Sequence, residues 1–177
     1  MQALRDYQNL IVEVDRICDH IRQRYPGHIA CTKGCAGNCC RIHISVFPVE
    51  AVSFAAALQK LPPKKVRHIR QKARQTNSFG PCPLLEKGAC RMYASRAVIC
   101  RTHGLPVLTE YRGQRSIGFC LKNFQKLPSI PGDAVIELAP LNNALMAVNR
   151  QFVREYAFTF PFVKRLTIGQ ALLLDVP

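Results

Sequence analysis

Apolar residues recur every three or four positions over residues 3–25. Leu4, Tyr7, Ile11, Val14, Cys18, Ile21 and Tyr25 form one seam, with polar residues between them. That period predicts an amphipathic helix with a single buried face, ended by Pro26-Gly27. Ile42, Ile44 and Val46 alternate with His43 and Ser45, which predicts a short extended stretch. Glu50 to Leu61 is apolar and alanine-rich, a second helix begun after Pro48. Pro62-Pro63 opens a third, running to Gln75 with Val66, Ile69 and Ala73 as a narrow stripe. Periodicity fades over 76–128, apart from a hairpin predicted around Arg112-Gly113-Gln114. Helical spacing returns over 133–156 at Val135, Leu138, Leu141, Leu145, Val148, Phe152 and Tyr156, with Pro140 expected to kink or interrupt it. The aromatic stretch from Tyr156 to Phe162 and the run Leu172-Leu173-Leu174 read as packing material. The expected fold is mainly α with little β. It is a small helical domain around a loop-rich centre, flanked by an N-terminal helix at 3–25 and C-terminal helices within 133–175. With 177 residues, no internal repeat and no low-complexity linker, 1–177 reads as a single domain.

Composition narrows the class. A hydrophobic fraction of 48% excludes wholesale disorder. No apolar run reaches the roughly 20 residues of a membrane span. The opening residues hold no apolar leader stretch, so we expect a cytoplasmic protein. The net charge is +14, and residues 60–126 hold fifteen Lys and Arg against Glu86 and Glu110. Within that third, Lys60, Lys64, Lys65, Arg67, Arg70, Lys72 and Arg74 run without an acid. Three readings fit the run: a solvated face, a patch for phosphate-bearing partners such as nucleic acid, or compensation for a buried negative site.

The nine cysteines change the picture most. Cys18 lies on the first helix's apolar stripe and reads as a small buried hydrophobe. The other eight fall into two groups in sequence. Cys31, Cys35, Cys39 and Cys40 lie within ten residues; Cys82, Cys90, Cys100 and Cys120 are spread over thirty-nine. Four thiols this close point to a metal, because a cation offsets the repulsion of gathered thiolates. Gly34 and Gly37 supply the backbone freedom that turns several sulfurs inward. A disulfide framework is disfavoured: it needs an oxidising compartment, and nine cysteines leave one unpaired. Two metal chemistries satisfy eight sulfurs, two four-thiolate zinc sites or iron–sulfur ligation. The absence of Cys-x2-Cys knuckles and the adjacency of Cys39 and Cys40 favour an iron–sulfur cluster over zinc. Lys33, Arg41, Arg91, Arg96 and Arg101 flank the cysteines, placed to offset thiolate charge or donate to sulfur. Among the histidines, His103 is the leading candidate as a further ligand, ahead of His28 and His43.

These residues carry a resemblance. The string from Ile29 through Cys31, Cys35, Cys39 and Cys40 to Arg41 resembles the first signature of the YkgJ-type cysteine-cluster family of zinc- or iron-chelating domains. Cys82-Pro83-Leu84-Leu85, Gly88-Ala89-Cys90-Arg91-Met92-Tyr93, Arg96 and Cys100-Arg101-Thr102-His103-Gly104 resemble its second. Gly118-Phe119-Cys120 followed by Asn123-Phe124 resembles its close. The likeness spans roughly 29–124. Two departures stand out: Ala97 follows Arg96 where the family commonly has proline, and the step from Cys35 to Cys39 is one residue longer than usual. The resemblance implies metal binding by Cys31, Cys35, Cys39, Cys40, Cys82, Cys90, Cys100 and Cys120, and supplies no reaction.

Three functions compete. The first is a metal-binding protein holding iron–sulfur or zinc through eight cysteines, with a redox partner if the metal is a cluster. The second is a cluster-dependent oxidoreductase in which one cysteine is not a ligand. The third is a metal-stabilised nucleic-acid module using residues 60–74, although that run offers no aromatic for base stacking. No nucleophile–base pair, phosphate-binding glycine loop or paired carboxylates support other catalysis.

Overall fold

The computed structural model describes residues 2–35, 38–42, 44–76, 80–156 and 164–176, without the side chain of Asn38. His43, Gly37 and the stretch 157–162 of the aromatic run therefore lie outside the described residues. The chain is mainly α with little β, as expected. Its helices are α1 (Gln2–Arg24), α2 (Pro48–Gln59), α3 (Pro63–Gln75), α4 (Val98–Thr102), α5 (Leu138–Glu155) and α6 (Ile168–Leu173). The strands are short: β1 (Ser45–Val46), β2 (Leu85–Glu86), β3 (Ala89–Cys90), β4 (Val107–Tyr111), β5 (Gln114–Gly118), β6 (Ile136–Glu137) and β7 (Leu166–Thr167).

The periodic seam of α1 is buried where it was expected: Tyr7, Ile11, Val14, Cys18 and Ile21 are each 8% exposed or less. Arg22 and Arg24 in the last turn complement the negative end of the helix dipole. This face packs on α5, α4 and part of α2, around Leu145 and Phe152. A second core gathers Phe54 and Leu58 of α2, Ile69 and Ala73 of α3, and Leu172 of α6. Because α2 feeds both cores it is buried nearly all round, with Val49, Ala51 and Leu58 at 0% exposure. Burying each large side chain such as Phe54 or Phe152 contributes about 2–3 kcal/mol, so α2 is the wedge that joins the two halves.

Three expectations need correction. The helix read over 133–156 starts only at Leu138. Residues before it form a tight turn at Gly132–Ala134 and then β6. Pro140 is therefore the third helical residue, where its missing N–H would have had no intrahelical partner, and α5 runs on through it without interruption. The extended stretch 42–46 shrinks to β1, paired antiparallel with β7, and Ile42 is 46% exposed. Thr167 closes β7 and caps α6: its hydroxyl accepts from Gln170 N at 3.1 Å while Gln170 Oε1 accepts from Thr167 N at 2.8 Å. The hairpin at Arg112-Gly113 is present as β4–β5, with both turn residues at positive φ as a two-residue turn requires. Its parallel partner β6 could not be read locally, because the pairing of Val107 with Ile136 spans an intervening loop.

Two buried polar side chains tie α4, which carries Cys100, to the scaffold. Glu50 is 2% exposed and accepts from Phe47 N at 2.9 Å and from Val98 N at 3.1 Å, bracing the starts of α2 and α4. Burial holds its carboxyl above the usual range, and the two N–H donors oppose that rise. Arg101 is 7% exposed and donates to Asp15 of α1, to Ala94 O at 2.6 Å and to Arg96 O at 2.7 Å. Glu50→Ala strands two interior N–H groups and is expected to cost about 2–4 kcal/mol in a urea titration. Because the native state holds the Glu50 proton more tightly than the unfolded chain, its contribution is complete below about pH 4. That contribution then falls as pH rises through the raised native value, and Glu50→Gln should flatten the dependence.

Candidate metal centre

Cys31 and Cys35 lie on the loop after α1, where Cys35 N donates to Thr32 O at 3.1 Å across a turn containing Gly34 at φ +88°. This loop is pinned to residues 120–124. Phe124 N donates to His28 O at 2.8 Å, and the Phe124 ring stacks on His28 and meets Tyr25 edge-on. Asn123, 1% exposed, is the clamp. Its Oδ1 accepts from Ala30 N at 2.8 Å, and its Nδ2 donates to Gly104 O at 2.6 Å and to Cys31 Sγ at 3.2 Å. Cys120 N donates to the same Gly104 carbonyl at 3.1 Å. Gly104 sits at φ +95°, and a Cβ there would stand 2.6 Å from Cys31 Sγ. Only glycine fits both the backbone and the sulfur.

The remaining thiols come together from three further places. Cys39 and Cys40 occupy a single helical turn, and Cys82 N donates to Cys40 O at 2.8 Å. Cys90 pairs with Leu85 across the β2–β3 hairpin, whose turn is Lys87-Gly88. Cys100 projects from α4. Seven of the eight cysteines, all but Cys120, line one cavity of about 90 Å³ with His103 and the apolar walls of Ile44, Phe54, Leu84 and Ile168. Cys120 adjoins this region through Cys31 and Gly104. All nine cysteines are free, and Cys18 is apart on α1, its Sγ 3.7 Å from Arg101 O.

The thiols act on one another in two spatial sets that cut across their order in sequence. Cys31 feels Cys120 and Cys35. Cys40 feels Cys39, Cys82 and Cys90, and Cys100 feels Cys82, Cys90 and Cys40. Burial above all, and then these neighbours, push Cys40 and Cys100 up to about 12 and Cys82 up to about 11. Burial also raises Cys31, against the pull of the Asn123 hydrogen bond. Without a cation such thiols stay neutral; a metal ion that displaces their protons gains all of these sulfurs as donors. Burial lowers the His103 imidazole, which keeps it neutral. Among the described residues no three Cys, His, Asp or Glu side chains stand closed around a single point. The sulfurs surround the cavity without forming a finished coordination shell. In kind and number they fit a thiophilic metal, and the position kept open at Gly104 fits a sulfur held in place.

The flanking cations meet the expectation in part. Burial raises the Cys90 thiol, and the charges of Arg96 and Lys33 pull it down, as charges that offset a thiolate do. The side-chain bonds of the arginines go elsewhere. Arg96 stacks over Tyr93 at 3.6 Å and donates to Tyr93 O and Cys100 O. Arg101 is spent on Asp15 and carbonyls, and Arg91 pairs with Glu86 at 3.1 Å. Lys33 and Arg41 are exposed. The sulfur donor is instead the neutral Asn123, whose position three residues after Cys120 is the only local hint of that role. His28 faces Phe124 rather than the cavity. On the basic run, Lys72 donates to Leu85 O at 2.7 Å and Arg70 to Leu174 O at 3.3 Å, so part of that charge fastens α3 to its neighbours.

Residues 30–118 match the family model CxxCxxCC, described as "Putative zinc- or iron-chelating domain". No curated protein and no solved structure matches the chain. The match includes seven of the cysteines and stops just before Cys120. Where the family's label writes two residues between cysteines, this chain has three in both intervals, Thr32-Lys33-Gly34 and residues 36–38. Asn123→Ala should free Cys31, leave Ala30 N–H unpaired and leave the Gly104 carbonyl with Cys120 N alone, costing about 1–3 kcal/mol. Metal retained after dialysis against a chelator, together with the unfolding midpoint, measures both effects. Gly104→Ala should lose metal as well, through the clash with Cys31.

Proposed function

The chain belongs to the CxxCxxCC family of zinc- or iron-chelating domains, and from that premise we propose that it holds an iron–sulfur cluster through its gathered cysteines and serves electron transfer or redox sensing. The observation that carries this reading is the single cavity lined by seven thiols from separate stretches of chain. A polynuclear centre uses ligands that bind different irons, so it suits sulfurs spread around one cavity better than separate tetrahedral ions do. The set of Cys39, Cys40, Cys82, Cys90 and Cys100 supplies one sulfur more than a four-iron cluster needs. When bound, the cluster supplies one-electron chemistry. The protein's own part is to exclude water with Phe54 and Leu84, and to hold Cys31 through Asn123. Residues 1–177 act as one unit in this reading, supported by α2 packing into both cores. No helix among the described residues is long and apolar enough to cross a membrane, and we place the protein in the cytoplasm, where thiols stay reduced.

Zinc is the second reading. It is favoured by the separate set of Cys31, Cys35 and Cys120; His103, which lines the cavity with Cys31 and Cys35, adds a fourth donor of the kind a structural zinc takes. Protein purified without air distinguishes the two. Broad absorption near roughly 400 nm with iron and matching sulfide supports the cluster, and colourless protein with about two zinc ions supports the second reading. Cys39→Ala and Cys100→Ala should lose metal, whereas Cys18→Ala should keep all of it. Equal loss in all three would overturn the division of the cysteines.

A further inference from the structure

Outside the thiol cavity, a strongly charged cleft of about 620 Å³ lies between α3 and the β2–β3 hairpin. Three separate stretches of chain bring cations to it: Lys33 from the first cysteine loop, Lys64 and Lys65 from α3, and Lys87 from the hairpin turn. Its one acid, Glu86, is already engaged, with Arg91 at 3.1 Å and His68 at 3.4 Å. Among the described residues no ion pair involves any of the four lysines. Lys87 holds φ +49°, a left-handed conformation that costs a non-glycine residue about 1 kcal/mol. Four ammonium groups around one hollow repel each other, and an anion placed among them removes that repulsion.

The lining narrows the ligand's chemistry. The cleft has the volume of a small-molecule site. No Phe, Tyr or Trp lines it, and its one ring, His68, is paired with Glu86, so no large aromatic face is offered for a nucleobase to stack on. Its single arginine is paired with Glu86, which leaves no free guanidinium fork for a carboxylate, whereas lysines act as point charges on phosphate. We propose that this cleft binds a compact ligand carrying two or more phosphates and recognises the phosphates alone. The site is distinct from the metal centre, although Cys90 forms part of both linings.

The test is calorimetric titration of the 177-residue chain, as purified, with inorganic tripolyphosphate at low salt. Binding is expected, weakening steeply as salt rises, with a nucleoside triphosphate matching tripolyphosphate within about twofold because no base is read. Lys64→Glu with Lys65→Glu, both exposed, should weaken binding by about tenfold or more. Circular dichroism and metal content should not change. Arg112→Glu with Arg115→Glu, on the remote β4–β5 hairpin, should leave affinity unchanged. Absence of binding at low salt, or equal losses in the two double variants, would overturn the proposal. Citrate binding as tightly as tripolyphosphate would overturn the phosphate assignment. An oligonucleotide that binds where tripolyphosphate does not would overturn the compact-ligand assignment in favour of nucleic acid.

Discussion

Gathering eight sulfurs around one buried region is the constraint that shapes this chain. Thiols held together without a cation must stay protonated, because burial and mutual repulsion both oppose the thiolate. Cys40 and Cys100, each pushed up to about 12, show how far that opposition reaches. The segments that carry them have little regular structure to fix them in place. They are held by Asn123 across Ala30 N, Cys31 Sγ and Gly104 O, by the Cys82–Cys40 backbone bond, and by the short β2–β3 hairpin. A metal that binds all of these sulfurs adds a further crosslink between parts of the chain far apart in sequence, which is how metal binding becomes folding free energy.

The helices supply what the loops lack. α1 and α5 close one core and α3 and α6 the other, with α2 buried between them. Cys100 stands on α4, a helix of five residues that could not be stable alone. Its position is set from outside: Glu50 meets its first N–H, and Arg101 anchors it to Asp15 on α1. The buried charges near the centre are therefore positional. They fix the backbone that presents a sulfur, and the contact to sulfur itself comes from an uncharged amide.

The positive charge divides along similar lines. Arg70, Lys72 and Arg101 are fastened to carbonyls or carboxylates and behave as structural parts. Lys33, Lys64, Lys65 and Lys87 remain around a cleft whose only acid is already paired. Sequence adjacency groups Lys64, Arg70 and Lys72 together, and the fold separates them by function.

Much of the helical frame was legible from local pattern. The seam of α1, the proline-opened α3 and the glycine-bearing turn at Arg112 depend on interactions between near neighbours, and the expected residues are the buried or turning ones. The thiols that line the cavity stand out in the sequence as well, because four of them fall within ten residues. The start of α5 was misread because helical spacing over 133–137 competes with a strand pairing to β4, which no local period reveals. By itself, then, the sequence determined a mainly helical protein whose cysteine-rich middle matches zinc- or iron-chelating domains. Only the tertiary structure decided that Cys39 and Cys40 stand with Cys82, Cys90 and Cys100, and that Cys31 and Cys35 stand with Cys120. Those groupings arise from long-range packing, since the contacts that build them join residues some forty to ninety positions apart, beyond the reach of any local period.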